Sequence, residues 1–172
     1  LPGLITAAQR NRDRGIADGA LFELGQAYRG PLPEHQYVAA AGVRFGRSAL
    51  QGLGRDWSGE TPEADAFAAK ADAVAALAAL GIDQDNLTLT REAPSWFHPG
   101  RSGALKLGPK VTLGVFGELH PDVLAKLGLD APIAAFDLYL DAIPEAKRKS
   151  RTRPALDASD LQAVKRDFAS AP

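Results

Sequence analysis

The 172-residue chain is predicted to adopt an α+β fold, in which helices flank a mostly antiparallel sheet. Several short stretches alternate between apolar and polar residues, as strands with one buried face do. An alanine-rich stretch has the 3.6-residue period of a helix, and its small side chains favour close packing on a sheet. The Gly108-Pro109 pair between two apolar stretches is typical of a hairpin, which joins antiparallel strands.

The beginning of the chain predicts one helix and two strands. Residues 4–14 place apolar side chains on one helical face, and Gly15 is suited to end that helix. Residues 20–28 and 37–45 have the composition of two strands that pair with each other, the second buried on both faces.

The clearest helix is predicted over residues 63–80. Thr61 would cap it, Pro62 suits its first position, and Gly81 would end it. Its buried face is predicted to comprise five side chains: Phe67, Ala71, Val74, Leu77 and Ala78.

Four further strands and a short helix complete the predicted core. The strands cover residues 86–91, with Leu87 and Leu89 inward, and residues 104–107, 111–116 and 133–140. His120 would open a helix over residues 121–127, which Gly128 would end. In the last strand, Phe136, Leu138 and Leu140 are predicted on one face, with Asp137 and Asp141 on the other.

Composition excludes several classes of function. The formal net charge of −1 argues against a wholly basic nucleic-acid binder, and the lack of cysteine excludes disulfides, thiolate nucleophiles and cysteine metal sites. No apolar run approaches the roughly 20 residues that span a membrane. The chain begins at Leu1 and contains no methionine, which predicts an internal fragment; modified methionines left out of the printed sequence would have the same effect.

Polar and special residues are concentrated in residues 96–121. The segment from His98 to Gly103 predicts either an anion-binding turn or, as we favour, a structural turn in which Arg101 pairs with a carboxylate such as Glu118. His98, Glu118 and His120 could bind a metal, but their spacing favours hydrogen bonds, with His120 capping the next helix. Trp57 and Trp96 are interpreted as core or interface anchors.

A basic run follows the predicted core. It could contact nucleic-acid phosphates, although a solvated interdomain linker has the same composition, and no aromatic residue lies within the run to stack on bases. Its charged members are Lys147, Arg148, Lys149, Arg151 and Arg153.

Five stretches, in this order, resemble the β subunit of bacterial phenylalanyl-tRNA synthetases. They are LPGLITAAQRNRDRG at 1–15, ALFELGQAYRG at 20–30, AFAAKADAVAALAALG at 66–81, WFHPGRSGALKLG with VFGELHPDVL at 96–124, and SDLQAVKRDFA at 159–169. Pairing of HPGRSG with GELHP is the most specific of these features. The resemblance makes seven residues a structural signature: His98, Gly100, Arg101, Gly103, Gly117, Glu118 and His120.

The resemblance implies a class II synthetase-like core, without catalytic residues or a cofactor of its own, over residues 1–143. A basic linker over 144–158 and the start of a ferredoxin-like anticodon-binding domain over 159–172 would follow. In this family the α subunit binds ATP and Mg²⁺ and attaches phenylalanine to tRNA(Phe). The implied assembly is a cytoplasmic (αβ)₂ heterotetramer.

The phosphate-binding arginines of a class II site are missing from the matching positions. Residues 20–28 contain Glu23 but no arginine, and Arg29 follows the strand. The GxG at 52–54 is followed too closely by Arg55 to form the family's third motif. We therefore expect a non-catalytic chain; the alternatives are an RNA-binding module that uses residues 147–153 and a metal hydrolase that uses His98, Glu118 and His120.

Overall fold

The computed structural model describes residues 1–47 and 62–144, and these form three α-helices, three short 3-10 helices and six strands. All neighbouring strands pair antiparallel, in the order β1-β2-β6-β5-β4-β3. The predicted antiparallel α+β architecture is therefore confirmed. The elements are α1 (Pro2–Asp13), β1 (Gly19–Tyr28), β2 (Gln36–Phe45), α2 (Ala66–Ala79), β3 (Leu87–Thr90), β4 (Phe97–Leu107), β5 (Val111–Leu119), α3 (Pro121–Lys126) and β6 (Ile133–Tyr139).

The sheet buries apolar side chains on both faces, because successive residues of a strand point to opposite sides. On one face, α1 packs on β1 and β2, and Ile5 belongs to the same cluster as Phe45 and Ile133. On the other face, α2 packs on β5 and β6, where Leu77 joins the cluster that contains Leu138. The sheet is thus the middle layer of the fold.

The start of α2 differs from the prediction. The helix begins at Ala66, and Asp65 is its N-cap, whose carboxylate accepts hydrogen bonds from the Phe67 and Ala68 amides at 2.9 Å. Glu63 instead forms an isolated β-bridge with Arg47. An aspartate that satisfies two free amides is a strong N-cap, so the helix starts there and not at Pro62. The predicted cap, Thr61, lies outside the described residues.

The buried face of α2 was predicted only in part: Leu77 is fully buried and Val74 packs against its cluster, as predicted, but the other buried positions differ. Ala69, Ala73 and Leu77 are buried, whereas Phe67 is 76% exposed. Alanines occur on every side of this helix, so periodicity alone did not identify the face. The two small side chains let the helix approach the sheet closely, as expected, but through a different stripe.

Two strands of the second half, β4 and β5, are longer than predicted, whereas β3 and β6 are slightly shorter. His98 to Gly103 was predicted to be a turn but belongs to β4, in which a register shift separates Phe97 from Ser102. Leu89 was predicted inward but is 50% exposed, since β3 is a sheet edge and only Leu87 packs against the α2 cluster.

The first two strands pair as predicted, but the burial of β2 is uneven. Its second half is mostly buried, whereas residues near Tyr37 remain partly exposed. The turn at Gly108 forms as predicted, with a φ of 65° that glycine tolerates without strain.

One charged pair ties α2 to the sheet. The Arg44 guanidinium donates to both carboxylate oxygens of Asp72, with an Nη2–Oδ1 distance of 2.8 Å. This hydrogen bond raises the pKa of Arg44. The fork geometry makes the pair a specific contact between β2 and α2.

We expect Asp72→Asn to lower the free energy of unfolding by about 1–2 kcal/mol, because a partly buried, charge-assisted hydrogen bond is lost. Urea denaturation measures the change. Asp85→Asn is the matched control, since the exposed Asp85 side chain caps and pairs with nothing in the described part of the chain. Equal stabilities of the two variants would show that the pair contributes nothing.

Candidate functional site

The signature residues lie where the start of β4 pairs with the end of β5. Phe97 pairs with Leu119 and Ser102 pairs with Gly117, so the intervening residues of β4 bulge out of the register. Within this bulge, the Ser102 hydroxyl donates to the His98 carbonyl at 2.6 Å, and the Gly100 amide donates to His98 Nδ1 at 3.1 Å. The bulge is therefore fixed by local hydrogen bonds.

The charged members of the signature pair with each other. Arg101 Nε donates to Glu118 Oε2 at 2.5 Å, which is the contact expected of a structural role. His120 is the N-cap of α3, and its Nδ1 accepts from the Asp122 amide at 3.2 Å. Both contacts use groups that a metal site or an anion site would need.

His98 and His120 stack on each other with ring centroids 6.4 Å apart. Their Nδ1 atoms each accept a backbone amide, and the Glu118 carboxylate is engaged by Arg101. Within residues 1–47 and 62–144, no three His, Asp or Glu side chains converge as metal ligands would. These contacts give the metal-hydrolase alternative no support. They explain the three polar residues as groups that stabilise the irregular pairing of β4 with β5.

A cavity of about 590 Å³ lies on the α1 face of the sheet. Residues from α1 and α3 contribute to it, together with β1, β2, β5, β6 and the loop before β4. Its polar side chains are Glu23, Gln26, Tyr37 and Asp137, and Trp96 and Leu119 belong to its apolar lining. Neither Lys nor Arg is among the described residues that line it.

The two carboxylates lie in one row across the sheet. Glu23 and Asp137 both pair with Ala41, one from each side, so they are separated by the width of two strand spacings, roughly 10 Å. The terminal ammonium of Leu1 donates to Glu23 Oε1 at 2.8 Å. Asp137 has no hydrogen-bond or ion-pair partner among the residues that the structure describes.

Burial raises the pKa of Asp137 above its ordinary value of 3.8. The Leu1 ammonium lowers this pKa, Glu23 raises it, and Arg29 lowers it. Arg29 lies over the rings of Tyr37 and Tyr139, at 4.5 and 5.2 Å from their centroids. The dominant effect is desolvation, which disfavours the charged form of a carboxyl group.

We expect Asp137→Asn to raise the free energy of unfolding at pH 7. A carboxyl group with a raised folded-state pKa opposes folding once it ionises, so its cost appears as pH rises above 3.8 and is complete above the folded-state pKa. The difference between variant and wild type should therefore vanish near pH 3. Urea denaturation over this pH range measures it, and a variant that is less stable at pH 7 would contradict the expectation.

Several predicted features lie outside the described residues. These are the basic run at 147–153, the strand-like stretch at 159–169, Trp57, the GxG at 52–54 and Arg55. Trp96, interpreted as an anchor, is 45% exposed at the cavity. Sequence reasoning missed the cavity, although Asp137 interrupts an otherwise apolar strand and was a usable signal.

Comparison with known proteins agrees with this fold. Residues 1–140 match the family model described as the phenylalanyl tRNA synthetase beta chain CLM domain. The chain belongs to this phenylalanyl-tRNA synthetase β-chain family. The resemblance inferred from HPGRSG and GELHP is thereby confirmed.

Curated relatives of this β-chain family member cover nearly all of it. The chain is 53% identical over 170 residues to the phenylalanine–tRNA ligase β subunit of Brucella suis, and 51% identical over 170 residues to that of Bradyrhizobium diazoefficiens. In both cases the match includes 98% of this chain and 21% of the relative. The β-chain CLM domain described here thus spans about a fifth of the length of these relatives.

A solved structure supports the same fold. The Desulfitobacterium hafniense protein PylSc, a pyrrolysyl tRNA synthetase, matches 81% of this CLM-family chain and 45% of its own, with a TM-score of 0.58 at 16% sequence identity. At this identity the likeness concerns the fold, and it confirms the predicted class II synthetase-like architecture. Among the described helices, none has the length and apolar content to cross a bilayer.

Proposed function

We propose that this chain is the non-catalytic, synthetase-like scaffold of a phenylalanine–tRNA ligase β subunit. In this proposal it packs on an α subunit that binds ATP and Mg²⁺ and attaches phenylalanine to tRNA(Phe), within a cytoplasmic (αβ)₂ enzyme. Residues 1–143 are the scaffold, 144–158 a linker, and 159–172 the start of an anticodon-binding domain. The seven signature residues stabilise the irregular pairing of β4 with β5.

The observation that carries the proposal is the charge of the cavity on the sheet. Class II chemistry needs cations that hold the phosphates of ATP. Here Glu23 stands on the strand where an arginine is needed, and Asp137 adds a second carboxylate. Arg44, the arginine of β2, is bound to Asp72 on the opposite face. Two carboxylates repel a triphosphate, so this surface opposes ATP binding.

An exposed apolar surface supports a scaffold role. Phe22, Leu24 and Tyr28 are 84%, 66% and 64% exposed, and their alternation places them on one face of edge strand β1. Large contiguous apolar side chains on a surface mark a protein–protein contact. We assign this surface to the α subunit.

Size-exclusion chromatography of the chain mixed with a purified α subunit tests the scaffold role. We expect co-elution, and we expect Phe22→Glu combined with Leu24→Glu to abolish it, because two charges would be buried without partners. The control, Leu80→Glu, changes a leucine at the end of α2 that is also exposed, at 52%. Failure of the wild-type chain to co-elute, or co-elution of the double variant, would refute this assignment.

Isothermal titration with ATP and Mg²⁺ tests the non-catalytic role separately. We expect no saturable heat from the chain alone, whereas the α subunit titrated in parallel binds the nucleotide. Saturable ATP binding by the isolated chain would overturn the non-catalytic proposal even if the complex with α forms.

A contact with tRNA is proposed for Lys147, Arg148, Lys149, Arg151 and Arg153. We expect Arg148→Glu with Arg151→Glu to weaken tRNA(Phe) binding and to flatten its dependence on salt, since fewer counterions are released. The control, Arg10→Glu with Arg14→Glu, makes the same charge change on exposed positions at the other end of the chain. If both variants bind alike in filter-binding assays at several salt concentrations, the run is only a linker.

A further inference from the structure

A second cavity, of about 340 Å³, lies beside the bulge of β4 and shares no lining residue with the cavity that contains Asp137. Its walls come from the connection between β3 and β4, from the first half of β4 and from the N-cap of α3. Small-molecule sites have volumes of about 300–1,000 Å³. The cavity is therefore large enough for a compact organic ligand.

The wall formed by β4 is held in place by local contacts. The Ser102 hydroxyl donates to the His98 carbonyl, and Phe97 is only 2% exposed because its ring belongs to the core cluster. Pro94 and Pro99 add rings with restricted backbones to the same lining. Since these residues are fixed without a ligand, the cavity is preformed.

The cavity offers hydrogen-bond donors and no carboxylate to receive them. His120 Nδ1 accepts from the Asp122 amide at 3.2 Å, so in the neutral imidazole the hydrogen is on Nε2. The Arg91 guanidinium has no hydrogen-bond or ion-pair partner in the described ranges, and Ser95 adds a hydroxyl. Neither Asp nor Glu is among the described residues of this lining.

The carboxylates near Arg91 in the described part of the chain have other environments. Glu92 and Glu118 each pair with another basic side chain. The Asp122 carboxylate lies 3.8 Å from His120 Nδ1, but it is 82% exposed and does not line the cavity. The lining therefore contains one permanent positive charge, that of Arg91, beside the ring N–H of His120.

We propose that this cavity binds a small organic carboxylate, whose charge is held by Arg91 and His120 and whose apolar part packs on Pro94 and Pro99. The planar guanidinium matches the two oxygens of a carboxylate, and a single permanent charge suits a monoanion better than a dianionic phosphate. No covalent step is involved. The site is independent of the proposed scaffold role, because the surface assigned to the α subunit lies on β1, four strands away from β4 in the sheet.

NMR titration of the ¹⁵N-labelled chain at pH 7 tests this site. We expect 3-phenylpropionate to bind with a stoichiometry of one and to shift the amide signals of Ser95, Phe97 and Ser102. The neutral analogue 3-phenylpropanamide should bind at least about tenfold more weakly, because it cannot form the charged hydrogen bonds. No saturable binding of 3-phenylpropionate, equal affinity for these two probes, or tighter binding of phenyl phosphate would overturn the proposal.

Two variants locate the binding. Arg91→Gln removes the charge and should weaken 3-phenylpropionate binding about tenfold or more. His120→Asn keeps an N-cap acceptor for α3 but removes the ring N–H, so we expect a loss of about threefold to tenfold. The matched control, Arg14→Gln, changes an exposed arginine that lines neither cavity and should leave the affinity unchanged.

The Arg91→Gln result decides the assignment. Arg91 is exposed, so this variant should fold, and its amide spectrum checks this before the titration. Wild-type affinity in either Arg91→Gln or His120→Asn would mean that the carboxylate is not held by this pair, and the proposal would fail. Co-elution with the α subunit should be unaffected in Arg91→Gln, so this test and the test of the scaffold role fail separately.

Discussion

Phe45→Ala is expected to lower the free energy of unfolding by about 3–5 kcal/mol, the range for truncation of a buried aromatic side chain. Phe45 is fully buried at the end of β2, between α1 and the neighbouring strands. Its ring lies so close to Gly19 that a Cβ at that glycine would be 2.3 Å from the ring. Surroundings packed this tightly cannot collapse into the space that the ring leaves.

Phe22→Ala is the matched control for this experiment. Phe22 is on the adjacent strand and loses the same atoms, but it is 84% exposed, so we expect a change within about 0.5 kcal/mol. Urea denaturation of both variants, with the slope of the transition compared, measures the difference. Similar losses for the two variants would contradict the assignment of Phe45 to the core.

Gly117→Ala should be the most damaging small substitution in the signature. Gly117 has a φ of 148°, and a Cβ there would lie 2.4 Å from Ser102 Cβ and 2.5 Å from the Arg101 carbonyl oxygen. Neither group can move without disturbing the bulge of β4. Backbone strain and overpacking each cost roughly 1–3 kcal/mol, so we expect a loss of about 2 kcal/mol or more.

Gly25→Ala provides the comparison, because it is also a strand glycine but has no heavy atom within 4 Å of the added Cβ. Its stability should be unchanged or higher by up to about 1 kcal/mol, since alanine restricts the unfolded chain. Urea denaturation measures both variants. A Gly117→Ala protein as stable as Gly25→Ala would show that the bulged pairing of β4 with β5 tolerates a side chain at Gly117.

The sequence predicted most elements because their signals are local. Strand alternation identified β1 and β6, a continuous apolar run identified β2, and Gly81 ended α2 where predicted, with a φ of 86°. The start of α2 was predicted wrongly because Asp65 is its N-cap, and its buried face was predicted only in part because alanines on all sides left no distinct apolar stripe. The exposure of Leu89 depended on its strand lying at the sheet edge, which periodicity does not reveal.

For the candidate sites too, local contacts could be predicted and long-range ones could not. The Arg101–Glu118 pair and the His120 cap were predictable, since the residue types and the next helix were visible in the sequence. The cavity could not be predicted, because Glu23 and Asp137 are more than a hundred residues apart in the sequence. Only the pairing of both residues with Ala41 brings them into one row of the sheet. Long-range register of this kind is set by the whole sheet.

The position of β6 has a consequence for how the protein is made. This strand is the last of the described strands in the chain, yet it lies between β2 and β5. During synthesis, the β1–β2 hairpin and the β3–β4–β5 meander can form early, but each must keep one hydrogen-bonding edge open until residues 133–139 leave the ribosome. Completion of the sheet is therefore a late, long-range event. A chain that ends before residue 133 would be left with two separate β-sheets, each with an unpaired strand edge that can pair with other chains.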